Sequence, residues 1–193
     1  MANRIVIVAG SPGAGKTSVL RGVEKDKNYK IINIGDLMIK RAMMKDYISD
    51  RDQLRTLNNK ISTELRSYAF GRVSKMSGNL LLDTHTSIET RGRYIPGLPL
   101  DIVRRMKGLV AFIYVDASTE EIVMRRRADK SRKREEEDRV LIDIQRLINM
   151  SVLLSYSSYL NIPLYVIINR QNMLEKSVNQ LKKHLNDIFG ENK

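Results

Sequence analysis

The sequence predicts an α/β fold, a doubly wound five-stranded parallel sheet flanked by helices. Three observations carry that expectation. Short β-branched or leucine-rich runs alternate with longer amphipathic stretches along the chain. The runs are continuously apolar, as strands covered by helices on both faces must be. The first of them leads directly into a glycine-rich turn that opens a helix.

The strand candidates are Ile5 to Ala9, Lys30 to Ile34, Asn79 to Asp83, Leu109 to Val115 and Leu164 to Ile168. Helical patterns lie between them, over Lys16 to Glu24, Gly35 to Lys45, Arg51 to Lys75, Thr119 to Arg127, Glu135 to Leu160 and Met173 to Ile188. Ser118 with Glu121 has capping-box spacing, and Asn172 with Glu175 marks a similar start. In the stretch from 135 to 160, Val140, Leu141, Ile144, Leu147, Ile148 and Val152 recur at three- and four-residue steps, which predicts a core-facing stripe. No repeat, linker or second boundary interrupts the chain, so one domain over residues 1–193 is expected.

Composition narrows the class. With 42% hydrophobic and 29% charged residues in a chain of 193, a packed soluble domain is expected and disorder is excluded. No apolar run approaches the roughly 20 residues that span a bilayer. The opening residues lack the apolar region of a secretory leader, so a cytoplasmic address is expected. Cysteine is absent, which excludes disulfides, thiolate metal sites and a thiol nucleophile. The net charge of +12 calls for anionic partners. Half of that excess lies in Arg125 to Arg134, where seven basic residues and one acidic residue give a net +6.

The chemistry begins at Gly10-Ser11-Pro12-Gly13-Ala14-Gly15-Lys16-Thr17, a G-x-x-x-x-G-K-[ST] segment between a strand and a helix. Its glycines let main-chain amides point inward as an anion nest, and the helix start adds its dipole. Lys16 can reach the β- and γ-phosphates of ATP, and Thr17 can offer its hydroxyl to Mg²⁺. Asp83, at the end of Asn79-Leu80-Leu81-Leu82-Asp83, is placed as a Walker-B carboxylate for that ion. The chain ends its last strand in Asn169-Arg170-Gln171-Asn172, which departs from the Asn-Lys-x-Asp of a GTPase. A small phosphotransferase fits better. The arginine-rich segment is then either a solvated charged loop or a lid over residues 125–138 whose guanidinium forks close on phosphate. The acidic run Glu135 to Asp138 suits a helix start.

Several segments, in order, resemble the archaeal adenylate kinases. They are the phosphate loop, Asn33-Ile34-Gly35-Asp36-Leu37-Met38, Arg51-Asp52-Gln53-Leu54-Arg55, Asp83-Thr84-His85, Tyr94-Ile95-Pro96-Gly97-Leu98-Pro99, and Arg125-Arg126 with Arg132 and Arg134. The resemblance implies the reaction ATP + AMP ⇌ 2 ADP with Mg²⁺, and a helical AMP-binding region over residues 35–75. Gly10 to Ser18, Ser18 included, would hold ATP. Gly35, Arg55, Thr84 and His85 would surround AMP, with Thr17 and Asp83 at the metal. Lys16, Arg125, Arg126, Arg132 and Arg134 would act on the transferred phosphoryl group, and the protein would be a homo-oligomer, a trimer. Ile39 stands where bacterial relatives place an AMP arginine, so the AMP phosphate must be held differently. Arg91 and Arg93 also depart from the archaeal pattern.

Two rivals remain at this stage. One is a kinase on the same fold acting on another nucleoside monophosphate or small acceptor. The other is an RNA- or DNA-binding NTPase, against which the scarcity of aromatics counts, since only Tyr94 lies near the basic segments.

Overall fold

A computed structural model describes residues 3–26, 28–90, 92–128 and 138–190, except for the side chains of Asp52 and Arg55. Five strands, β1 (Arg4–Gly10), β2 (Lys30–Asn33), β3 (Asn79–Asp83), β6 (Leu109–Asp116) and β7 (Leu164–Ile168), form a parallel sheet in the order β2-β3-β1-β6-β7. Between β3 and β6, strands β4 (Ser87–Thr90) and β5 (Arg93–Pro96) form a separate antiparallel hairpin. The helices are α1 (Lys16–Arg21), α2 (Ile34–Met44), α3 (Asn59–Val73), α4 (Leu100–Val103), α5 (Thr119–Ala128), α6 (Arg139–Leu160) and α7 (Leu174–Gly190).

Strand order reverses around β1, which has β3 on one side and β6 on the other. In such a sheet the crevice for a ligand opens beyond the carboxyl ends of the central strands. The sheet is apolar on both faces. Ile5, Ile7, Leu80, Leu82, Phe112 and Tyr114 pack into one core, and Val6, Val8, Leu81, Ile113, Val115 and Ile167 into the other. That two-sided burial explains why these strands read as continuous apolar runs rather than alternating ones.

The five predicted strands all form, and Ile34 differs only in opening α2 instead of closing β2. Asn33 makes that boundary, its side-chain oxygen accepting from the Asp36 amide at 3.0 Å. The Ser118–Glu121 capping box forms as predicted, with Glu121 accepting from the Ser118 amide at 2.9 Å and Ser118 from the Glu121 amide at 3.3 Å.

Three expectations need correction. The helix predicted over Arg51 to Lys75 is broken at Leu57 and Asn58. A 3₁₀ turn spans Asp52–Thr56, and α3 starts afresh where the Asn58 side chain caps the Ile61 amide at 3.0 Å. The first helix ends at Arg21, where Gly22 lies so close to α7 that a Cβ would stand 2.4 Å from Val178 Cγ2. The hairpin β4–β5 and the short α4 were not foreseen.

The largest correction concerns α6. Its predicted core stripe faces outward, with Val140, Leu141, Ile144 and Leu147 exposed and Ile148 and Val152 half-buried. The buried face instead carries Ile142, Gln145, Asn149 and Leu153. Polar residues are drawn inward there because α6 closes over loop ends whose polar groups need partners. Asn149 accepts from the Ser87 amide at 3.1 Å and from the Ser87 hydroxyl at 2.6 Å. Among the described residues, no helix is long and apolar enough to cross a membrane.

Candidate active site

Residues 10–17 turn from the end of β1 into α1 at the crevice. Two positions demand glycine. Gly10 sits so close to β6 that a Cβ would lie 2.4 Å from the Val115 carbonyl oxygen. Gly15 has φ of +85° and would carry a Cβ 2.3 Å from Asn169 Nδ2. The loop therefore nests against the backbone of β6 and against the Asn169 side chain just past β7. Ser11 is buried and shares a 2.8 Å hydrogen bond with the Tyr114 hydroxyl.

Lys16 and Asp83 meet at the floor of this loop. The Lys16 ammonium is in direct contact with Asp83 Oδ1, and both side chains are buried. Asp83 Oδ2 accepts a hydrogen bond from Asn33 Nδ2 at 2.8 Å. Asn33 thus caps α2 with its oxygen and orients the Asp83 carboxylate with its nitrogen. Burial pushes the Lys16 ammonium down to about 8, because taking a cation out of water disfavours its charged form.

The parallel register Val8↔Asp83 brings the carboxylate level with the start of the loop. Thr84 continues that pairing, donating from its amide to the Val8 carbonyl at 3.2 Å, and it is buried. His85 is exposed just beyond it. Gly35 lies in the first turn of α2 beside Asn33, with room for a Cβ only 3.1 Å from Asn33 Oδ1. Thr17 and Ser18 are exposed on the first turn of α1. The structure therefore gathers Gly10 to Lys16, Asp83 and Thr84 into one constellation, with Gly35 on its border.

The arginines divide. Arg125 donates from Nη1 to the Ala14 carbonyl at 3.1 Å and from Nη2 to the Asn169 carbonyl at 2.8 Å. Arg126 is buried and donates to the Pro12 carbonyl from Nε at 2.9 Å and Nη2 at 2.6 Å. Arg132, Arg134 and most of the predicted lid lie outside the described residues, as do the Arg55 side chain and Arg91.

Several contributors were not foreseen. Asn33 was visible only as part of a motif. Asn169, at the end of β7, donates from Nδ2 to the Ala14 carbonyl at 2.9 Å and is oriented by the Ser177 hydroxyl. Arg146 on α6 pairs with Asp116 at the end of β6 at 2.9 Å and donates to Thr119 and Asp143, both at 2.9 Å. The Asp116 carboxylate and the other acceptors hold the Arg146 guanidinium above its ordinary value. That network ties β6, α5 and α6 together behind the phosphate loop. A cleft of about 730 Å³ opens between Thr56–Asn59 and the hairpin residues Thr90 and Arg93–Pro96.

The two residues the sequence points to for a metal, Asp83 with its carboxylate and Thr17 with its hydroxyl, both offer oxygen. No group of three or more His, Asp or Glu side chains able to hold a metal occurs among the described residues. A carboxylate and a hydroxyl are the donor types that suit Mg²⁺, which takes one or two protein oxygens and shares the rest of its shell with phosphates and water.

Comparison with known proteins agrees with this geometry. The family model described as AAA domain matches residues 9–142. The adenylate kinase of Methanothermobacter thermautotrophicus is 33% identical over 184 residues, covering 94% of this chain and 99% of its own. The adenylate kinase of Thermoplasma acidophilum is 33% identical over 177 residues, covering 92% of this chain and 96% of its own. Among solved structures, a shikimate kinase from Bacteroides thetaiotaomicron shares the fold, with a TM-score of 0.64 at 16% identity over 94% of this chain and 98% of that one. With a phosphate loop, an aspartate closing the neighbouring strand and relatives matched nearly end to end, the chain belongs to the family of archaeal adenylate kinases.

Proposed function

We propose that this protein catalyses reversible phosphoryl transfer from Mg-ATP to AMP, giving two ADP. The observation that carries the reading is the buried Lys16–Asp83 contact at the base of the glycine loop. It brings a cation for the phosphates and a carboxylate for the metal to one point. Mg²⁺, held by Thr17 and Asp83, would neutralise charge on the phosphate oxygens.

Every other contribution comes from the chain itself. Gly10 to Ser18 bind ATP, chiefly through main-chain amides and the α1 dipole. Lys16 turns from Asp83 to the β- and γ-phosphates when these enter. Arg125, held on the Ala14 and Asn169 carbonyls, adds positive charge at the loop, and Arg132 and Arg134 supply it from the lid over residues 125–138, whose closure excludes water. Gly35 and Arg55, in the region over residues 35–75, border AMP together with Thr84 and His85 beyond β3. The cleft beside Leu57 and Tyr94 receives the acceptor base. Holding two nucleotides in line makes a two-substrate reaction effectively intramolecular. The enzyme is cytoplasmic and assembles as a trimer in this reading, and the exposed apolar stripe of α6 supports the oligomeric part.

The test is a coupled assay with Mg-ATP and each nucleoside monophosphate in turn. ADP should form with AMP as the preferred acceptor. Release of inorganic phosphate without an acceptor, stimulated by RNA, would favour the nucleic-acid NTPase instead.

Two further outcomes follow. Truncating the acceptor cleft by Tyr94→Ala should raise the KM for AMP about tenfold and leave that for ATP within twofold, as steady-state kinetics would show. The second concerns pH. Lys16 must be charged to grip phosphate, and its free-enzyme value of about 8 means the charge is lost as pH rises through that point. kcat/KM for Mg-ATP should therefore fall above about pH 8. kcat should hold to higher pH, because bound phosphate charge stabilises the ammonium.

A further inference from the structure

We propose that Arg126 is a positioning residue for the phosphate loop, clipping the Pro12 carbonyl from outside so that the loop's amides stay aimed at the nucleotide. The inference rests on the kinase reading above and assigns a role within that same site.

The physical reason begins with the loop itself. A nest that turns its N–H groups inward leaves its carbonyls facing out, away from any helix or sheet ladder. Pro12 is the sharpest case, since it has a carbonyl to satisfy and no N–H to contribute. Arg126 meets that carbonyl with two donors, Nε at 2.9 Å and Nη2 at 2.6 Å. One residue earlier, Arg125 reaches the Ala14 carbonyl at 3.1 Å, and Asn169 Nδ2 reaches the same oxygen at 2.9 Å. The two outward carbonyls that flank Gly13 are thus both held by side-chain donors.

Packing fixes the clip in place. Thr119, Ile122 and Arg126 form the buried face of α5. Their side of the helix lies on Gly13, which has φ of +91°. A Cβ there would stand 3.0 Å from Arg126 Cγ and 3.1 Å from Ile122 Cγ2. The stem of Arg126 therefore rests on the loop while its head holds the carbonyl. The Nε/Nη2 edge is also the edge a guanidinium presents to a phosphate in a bidentate contact, and here Pro12 occupies it. Arg126 acts on the nucleotide through the loop, unlike an arginine that closes from a lid.

The discriminating measurement is the binding of Mg-ADP beside Mg-ATP. The loop grips phosphates that both nucleotides share, whereas a lid arginine on the transferred group touches only the γ-phosphate. Arg126→Met keeps the stem and removes the donors, and Arg126→Lys restores one donor and the charge. Calorimetric dissociation constants for Mg-ADP and Mg-ATP should both rise about tenfold in Arg126→Met, the loss expected for one charge-assisted hydrogen bond. The KM for AMP should stay within twofold, and Arg126→Lys should recover most of the loss. Loss of Mg-ATP affinity with Mg-ADP affinity retained would overturn the proposal, as would unchanged constants for both accompanied only by a lower melting temperature. Should Arg126→Met fail to fold, the same comparison in Arg126→Lys decides, through equal and smaller rises for the two nucleotides. Binding of Mg-ADP to the unaltered protein tests the kinase reading separately, because the Arg126 effect is read as a ratio to it.

Discussion

Lys16→Met should reduce turnover about 10²–10³-fold, the usual cost of losing a preorganised electrostatic contact with developing charge. The side chain is buried at the base of the loop, and methionine fills nearly the same volume, so the fold should survive. Steady-state kinetics with a thermal-denaturation control would check both statements. Turnover near that of the unaltered protein would remove Lys16 from the chemistry.

Asp83→Leu should be as damaging to turnover and more damaging to the fold. Removing the carboxylate leaves the Lys16 ammonium buried without its counter-charge, a change that typically costs about 3–5 kcal/mol when one partner of a buried pair is deleted. It also frees Asn33 Nδ2 from its acceptor. Because burial already holds Lys16 down, part of that cost can be relieved by loss of its proton, and the effect should shrink as pH rises above about 8. The informative variant is the double one. Lys16→Met with Asp83→Leu removes both charges together, and replacing a buried pair by apolar groups is often neutral or stabilising. Chemical denaturation should show stability recovered relative to Asp83→Leu, while activity stays lost. A double variant less stable than the sum of the single changes would contradict the view that each charge is there for the other.

How much of this was legible in the chain depends on how local the governing forces are. The five strands were, because a strand covered on both faces must be apolar throughout, and such runs as Ile5 to Ala9 have no other simple reading. The phosphate loop and Asp83 were, since backbone geometry ties glycine, lysine and carboxylate to fixed places in strand-turn-helix order. The outward face of α6 was not. Periodicity reports which side of a helix is more apolar, but Asn149 was drawn inward by Ser87 at the start of a distant hairpin, Gln145 is buried on the same face, and the apolar side was left outside. Nor did the hairpin itself announce its pairing, since Ser87 to Thr90 and Arg93 to Pro96 are only four residues each. The arginines show the same limit at a single side chain. Arg125 and Arg126 are chemically alike and suited to phosphate, yet both reach backbone carbonyls of the loop, a choice made by where α5 lies and not by the residue type.

The polar groups behind the loop carry a consequence for its rigidity. Ser11, Tyr114, Asn149, Asn169 and Ser177 are all buried and hydrogen-bonded around it. With its outward carbonyls held by Arg125, Arg126 and Asn169, the loop has little left to reorganise when a nucleotide arrives. Such preorganisation is what lets amides act as electrostatic catalysts without paying for their own alignment during the reaction.

The most direct test of the central claim is a crystal structure with Mg²⁺ and a dinucleotide that joins two adenosines through five phosphates. The account predicts phosphate oxygens within hydrogen-bonding distance of the amides of residues 13–17, Lys16 Nζ moved from Asp83 onto them, and the second adenosine beside Leu57 and Tyr94. Phosphates bound elsewhere, with Lys16 still on Asp83, would contradict it.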